Sequence, residues 1–258
     1  MRTLRAAAKL LAFVALTLPL MPVQQLLLWG FPRGARLLPH HYHRAVCRLF
    51  GIRLSVAGAA LPQSPCLVIS NHVSWLDIVI LSAVAPLSFV AKREVAGWPF
   101  FGTLARLQRT VFVDRERRHA TAATADGITA RLAAGETIVL FGEGTSHDGA
   151  TVLPFKSSLF AAATTPGIAI VPVTLAYRSL WGLPLGRRER PSIAWYGDMD
   201  LIPHLWAFLG EGPLGARVIV HEALPEAVGR ERKAAALAAE NAVRQGLVAA
   251  LHGPADLR

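Results

Sequence analysis

Only two of the 258 residues are cysteine, Cys47 and Cys66, and neither stands in a Cys-x-x-Cys pair or beside histidine at metal-ligand spacing. This argues against a disulfide scaffold and a cysteine-based metal knuckle, and points to a reducing compartment. Acidic residues are also scarce: 17 Asp and Glu face 27 Lys and Arg, a formal charge of +10. Such a surface favours anionic partners, either nucleic acid or anionic lipid. No basic run is interleaved with aromatics and no nucleic-acid reading motif occurs, which argues against nucleic acid. Missing too is a Gly-x-Ser-x-Gly elbow, so the sequence presents no serine as a covalent nucleophile. No repeat period and no low-complexity linker divides the chain.

What is abundant is apolar surface. Hydrophobic residues make up 53% of the chain without glycine, against roughly 45–50% with glycine in ordinary globular proteins. No residue between Lys9 and Arg33 is charged. A fully helical Leu10 to Pro32 would reach about 35 Å, enough for a hydrocarbon core of about 30 Å. Pro19, Pro22, Gln24, Gln25 and Gly30 are expected to interrupt it, and cations flank both ends. Those flanks disfavour a simple crossing and favour a broken hairpin dipping into one leaflet, or helices lying in the interface. A secretory signal peptide is the alternative, but no small-residue cleavage site follows. Residues 36–50 read as a basic interfacial helix, its His40, His41 and His43 solvated rather than metal-binding. Residues 1–50 are therefore expected to be membrane-anchoring helices, and residues 51–258 one catalytic domain.

From residue 52 onward, short apolar runs alternate with helix-like segments. Candidate strands are Ile52–Val56, Cys66–Ser70, Ser88–Ala91, Thr110–Val113, Thr137–Phe141, Ala169–Tyr177, Ser192–Tyr196 and Ala216–His221. Candidate helices are Leu76–Val84, Arg118–Ala134 closed by Gly135, Lys156–Thr164 and Glu231–Leu251. The expected fold is α/β, a mixed, largely parallel sheet of about seven strands flanked by helices. His72, Lys92, Arg115 and Glu143 each follow a candidate strand. If those strands are mutually parallel, the four residues share the edge where open α/β sheets bind ligands.

Asn71-His72-Val73-Ser74-Trp75-Leu76-Asp77 leaves a strand through a polar turn and enters an apolar helix. That spacing lets Asp77 bond one ring nitrogen of His72, fixing the tautomer and leaving the other nitrogen to take a proton, as a general base does. With nine His and seven Asp in the chain, the spacing alone is weak evidence and a structural histidine is the plain alternative. The company of His72 shifts the balance. Asn71, His72 and Asp77 match the Asn-His-x4-Asp block of the glycerolipid acyltransferase family, whose type members acylate 1-acylglycerol 3-phosphate. Lys92-Arg-Glu94 with Pro99, Gly102 and the stretch ending at Arg115 resembles the second block, Phe141 to Thr145 the third, and Val171-Pro172-Val173 the fourth.

The resemblance runs from about residue 50 to residue 222. It implies that His72 is the base, that Asp77 orients it, and that Asn71, Lys92, Arg115, Glu143, Gly144, Thr145, Ser146 and Lys156 bind the acyl acceptor. It also implies an acyl thioester on acyl carrier protein or coenzyme A as co-substrate, no further cofactor and a lyso-lipid acceptor; the residues themselves suggest no metal, and the flanking cations the cytoplasmic face of a bacterial-type inner membrane. One departure bears on the acceptor. The third block usually has Pro before its Glu and Arg after Glu-Gly-Thr, where this chain has Gly142 and Ser146. Serine cannot replace the forked bonds an arginine gives a phosphate. The continuation Ser146-His147-Asp148-Gly149 resembles the branch that acylates lyso-ornithine lipid, whose headgroup lacks phosphate; with Arg115 and Lys156 present, lysophosphatidate stays open. An α/β hydrolase, or a scaffold of the same fold without catalysis, is the other reading. Acyl transfer, acid release or no turnover from an acyl thioester separates the three.

Overall fold

The structure is a computed structural model describing residues 1–62, 65–113, 120–164 and 167–253. Two helices lead. α1 (Arg2–Gly30) is continuous despite Pro19 and Pro22, and the chain breaks at Phe31, after which Pro32 opens α2 (Pro32–Phe50) at its first turn. The expected interruptions before Gly30 are absent because α1 is held from outside itself. Ala6, Phe13, Thr17 and Gln24 form one buried side, and the Gln24 amide, expected to break the helix, instead donates to the Ala35 and Leu107 carbonyls at 2.9 Å each. α2 is only partly the solvated helix expected. His40 and His43 turn inward, their Nδ1 atoms meeting the Ser82 carbonyl at 2.8 Å and its hydroxyl at 2.9 Å.

The rest of the chain follows as β1 (Ile52–Gly58), β2 (Cys66–Ser70), α3 (Leu76–Val84), β3 (Ser88–Lys92), α4 (Phe101–Leu107), β4 (Val111–Val113), α5 (Ala120–Ala133) and β5 (Ile138–Phe141). Then come β6 (Ala169–Leu180), β7 (Leu183–Pro184), α6 (Leu201–Gly210), β8 (Leu214–Val220), α7 (Glu226–Gly229) and α8 (Arg232–His252). The sheet has eight strands in the order β1-β8-β6-β2-β5-β3-β4, with β7 pairing off β6. β2, β5, β3, β4 and β6 are parallel, whereas β8 runs antiparallel to β6. The fold is the mixed, mostly parallel α/β arrangement the sequence implied. Because Ser70 registers with both Phe141 and Val173, the chain leaves β2 and β5 side by side at one edge.

Every residue of β2 is buried and its side chains alternate between two cores. Cys66 and Val68 join Phe13, Phe50, Ile80 and Phe208 on the face covered by α1, α2, α3 and α6. Leu67 and Ile69 join Ile128, Leu132, Ala239 and Val243 on the face covered by α5 and α8. Burial on both faces explains why the strand reads as a continuous apolar run. Each such side chain, fully buried, stabilises the fold by roughly 1.5–3 kcal/mol.

Two expectations are corrected. Ser192–Tyr196 is not a strand: Arg190–Ser192 is a 3₁₀ turn, Pro191 has no N–H for a ladder, and the next amides bond the Arg190 and Val73 carbonyls at 2.7 and 2.9 Å. Lys156–Thr164 is a looser 3₁₀ run, Ser157–Thr164, rather than an α-helix. The expected helix from Arg118 is described only from Ala120; its closing glycine is as anticipated, with Gly135 at φ +85° bonding the Leu132 carbonyl.

Candidate active site

The turn between β2 and α3 carries the site. Asp77 lies in the first turn of α3 and is fully buried. Its Oδ2 accepts the Val73 and Ser74 amides at 2.6 and 3.0 Å and lies 2.7 Å from His72 Nδ1, while Oδ1 accepts the Tyr177 hydroxyl at 2.6 Å. Four donors thus converge on one carboxylate. Tyr177 is held protonated: burial, then the neighbouring carboxylate, push its phenol well above the usual value.

The His72 ring stacks on Phe141 at 3.9 Å between centroids, and its side chain is 19% exposed. With Nδ1 donating to Asp77, the lone pair is on Nε2, which has no hydrogen-bond partner among the described residues. The arrangement provides an oriented, partly open imidazole backed by a buried carboxylate. Cys66 offers no rival nucleophile, being fully buried with its thiol pushed up to about 11 by that burial.

The other candidate residues fall into different positions. Asn71 is fully buried and does not face the opening: its amide nitrogen donates to the Leu175 carbonyl and its oxygen accepts the Leu175 N–H, both at 2.9 Å. It clips the turn to β6, because a buried side chain with both polar atoms on backbone has none left for an acceptor lipid. Glu143, also buried, is spent inside the protein as well. Oε2 accepts the His72 N–H at 2.7 Å; Oε1 accepts the Leu153 N–H at 2.8 Å and lies 2.9 Å from His147 Nε2. Both are therefore supports of His72 rather than parts of its surface.

Lys92, Thr145 and Lys156 are exposed, and Ser146 is half-buried. Gly144 has φ +67°, and a Cβ there would meet the Lys156 stem at 3.0 Å, so the lysine lies over that turn. At Gly142 a Cβ would sit 2.6 Å from the Phe155 ring, which is why this chain has no proline there. Arg115 lies outside the described residues. Among the described residues no three His, Cys, Asp or Glu side chains converge as a metal set.

Sequence reading missed two members. Tyr177 sits 100 residues beyond Asp77 and no local signal marks it. His147 stands four residues after Glu143 and was visible only as part of a motif. Also unforeseen is a cavity of about 200 Å³ between the leading helices and α3, α4 and α6, lined by Phe13, Met21, Tyr42, Val46, Trp75 and Leu104 among others. Trp75 ties it to the site, two residues before Asp77.

Comparison with known proteins accords with this geometry. A family model described as Acyltransferase matches residues 53–176. A lyso-ornithine lipid O-acyltransferase of Brucella abortus is 45% identical, the match covering 97% of both chains. A 1-acyl-sn-glycerol-3-phosphate acyltransferase of Neisseria meningitidis is 34% identical over 75% of this chain and 79% of its own. Among solved structures, the 1-acyl-sn-glycerophosphate acyltransferase PlsC of Thermotoga maritima superposes with a TM-score of 0.66 at 22% identity, covering 95% of this chain and 96% of that one. At that identity the likeness concerns the fold.

Proposed function

The chain belongs to the acyltransferase family and is a lyso-lipid acyltransferase of lipid biosynthesis; from that premise we propose that His72 and Asp77 carry the transfer, onto lyso-ornithine lipid. The observation that supports this most is the 2.7 Å His72–Asp77 bond with Nε2 left open at the strand edge. As the lipid hydroxyl attacks the thioester carbonyl, Nε2 takes its proton. When the tetrahedral intermediate collapses, the C–S bond breaks and the imidazolium returns the proton to the departing thiolate. Acyl carrier protein or coenzyme A is that thiol. Asp77 keeps the tautomer and stabilises the cation formed.

For the acceptor, Ser146 stands where an arginine would fork onto a phosphate, and the 45% identical relative is named for lyso-ornithine lipid. Lys92, Thr145, Ser146 and Lys156, with Arg115, remain the side chains offered to its headgroup. Given lyso-ornithine lipid and lysophosphatidate in equal amounts, with one acyl thioester, the protein is expected to favour the first by at least about ten-fold in kcat/KM. Mass spectrometry of the diacyl products reads the ratio; equal use of both would end the assignment of the acceptor.

The acyl chain lies in the apolar cavity. Replacing Met21, on its wall and away from the catalytic turn, by Trp fills part of that volume. The expected result is a shorter preferred chain, with kcat/KM for the longest thioesters falling about ten-fold, since each buried CH₂ contributes about 0.8 kcal/mol. An unchanged chain-length profile would place the acyl group elsewhere.

The protein associates with membrane, and α1 does so without crossing. α1 is long and apolar enough to span, yet both of its ends are bonded to the catalytic body. Arg5 and Lys9 donate to the Gly210, Phe50 and Glu211 carbonyls at 2.8–3.2 Å, and Gln24 holds Leu107. Leu4, Leu11, Leu18, Leu26 and Trp29 form an exposed stripe on the opposite side. That stripe lies in the bilayer interface, with the cations at the cytoplasmic headgroups.

A further inference from the structure

The strongest unassigned feature is the second histidine–acid group, directly behind the first. The His72 peptide is gripped from both sides: Glu143 Oε2 accepts its N–H at 2.7 Å, and the His147 N–H donates to its carbonyl at 3.3 Å. The same His147 donates from its ring to Glu143 Oε1 at 2.9 Å. In the neutral ring Nδ1 accepts the Gly149 N–H at 3.2 Å, and in the cation the Nδ1 proton faces Asp148 Oδ1, 3.5 Å away. The Asp148 carbonyl in turn accepts Arg190 at 3.1 Å. We propose that His147 is a positioning residue: by holding Glu143 and the His72 carbonyl together it fixes the peptide from which the reacting imidazole projects. This rests on the reading of His72 as the base.

The charges explain why a histidine serves here. Glu143 is a carboxylate taken out of water, and an uncompensated buried charge is costly. Against burial, which lowers it, the Glu143 carboxylate and then Asp148 raise the His147 pKa above its ordinary 6.5. Among the described residues, the charged and titratable groups near the pair include Arg190, at Asp148, Lys156, over Gly144, and the His72–Asp77 pair beyond the His72 peptide. A raised value means the cation's contribution is complete below about pH 6.5 and is lost as pH climbs through the higher value. The grip on His72 is therefore expected to slacken on the alkaline side.

The test uses the full chain in lipid–detergent micelles, with His147→Ala and His147→Gln; Gln keeps a donor near the place of Nε2 but no charge. In His147→Ala, amide exchange at His72 is expected to rise about ten-fold, and kcat to fall about ten-fold with KM within about two-fold. His147→Gln is expected to restore most of both, and its kcat to lack the parent's decline as pH climbs above about 6.5. It also serves should the Ala variant fail to fold. Exchange and kcat within about two-fold of the parent in His147→Ala, or a parent-like alkaline decline in His147→Gln, would overturn the proposal. Exchange is read without turnover. An inactive parent whose His72 amide loosens in His147→Ala thus counts against the acyl transfer and not against the grip.

Discussion

Replacing His72 with Ala is expected to lower acyl transfer by about 10²–10⁴-fold, the range general-base catalysis ordinarily supplies. The protein should remain folded. The ring is 19% exposed and makes one strong polar bond, to an Asp77 that retains the Val73 and Ser74 amides and the Tyr177 hydroxyl. Loss of its stacking on Phe141 costs on the order of 1 kcal/mol, within the common range for point substitutions. Steady-state transfer of a radiolabelled acyl group, with thermal melting as the folding control, separates the two quantities. Turnover within about ten-fold of the parent would take the imidazole out of proton transfer, because so small a loss is below what a base contributes.

Asp77 answers differently, and the contrast between two substitutions tests why. Asp77→Ala strands two buried backbone amides and the Tyr177 hydroxyl. Each buried group left unpaired costs about 1–3 kcal/mol, so destabilisation of about 3–5 kcal/mol is expected along with loss of activity. Asp77→Asn keeps an oxygen for the amides, and its NH₂ can face a Tyr177 hydroxyl turned to accept. Here about 1–2 kcal/mol of stability is expected to go. Transfer should nonetheless fall by about 10²-fold or more, since a neutral side chain does not stabilise the imidazolium formed in the reaction. Denaturant unfolding and transfer rates measured together check this. Equal stability losses in the two variants would mean that the carboxylate's bonds to the turn contribute little.

How much of this was legible depended on distance along the chain. The β2–α3 turn announced itself because all its parts lie within twelve residues, Cys66 to Asp77: an apolar run, a polar turn, then a helix whose first turn holds the acid. Glu143 and the Gly142–Gly144 turn were legible as belonging beside His72, but not on which side of it. Sequence placed Asn71 and Glu143 toward the acceptor lipid, whereas both are buried and spend their polar atoms on the backbone of Leu175 and His72. A residue type and an address after a strand are the same for a contact and for its support. Only the direction of the side chain distinguishes them.

The leading segment shows the same limit. Its apolar stretch and flanking cations were plain, and prolines at 19 and 22 counted against one helix. Yet α1 runs unbroken, because Phe13, Thr17 and Gln24 pack on residues far along the chain. The sequence by itself determined the α/β alternation, the His72–Asp77 spacing and an apolar N-terminal element, since each rests on local order. Tertiary structure alone decided that Tyr177 closes the carboxylate, that Glu143 and His147 bond the His72 peptide, and that α1 roofs an apolar cavity. Those facts rest on contacts spanning up to 100 residues or more, and no local pattern encodes which distant atoms will meet.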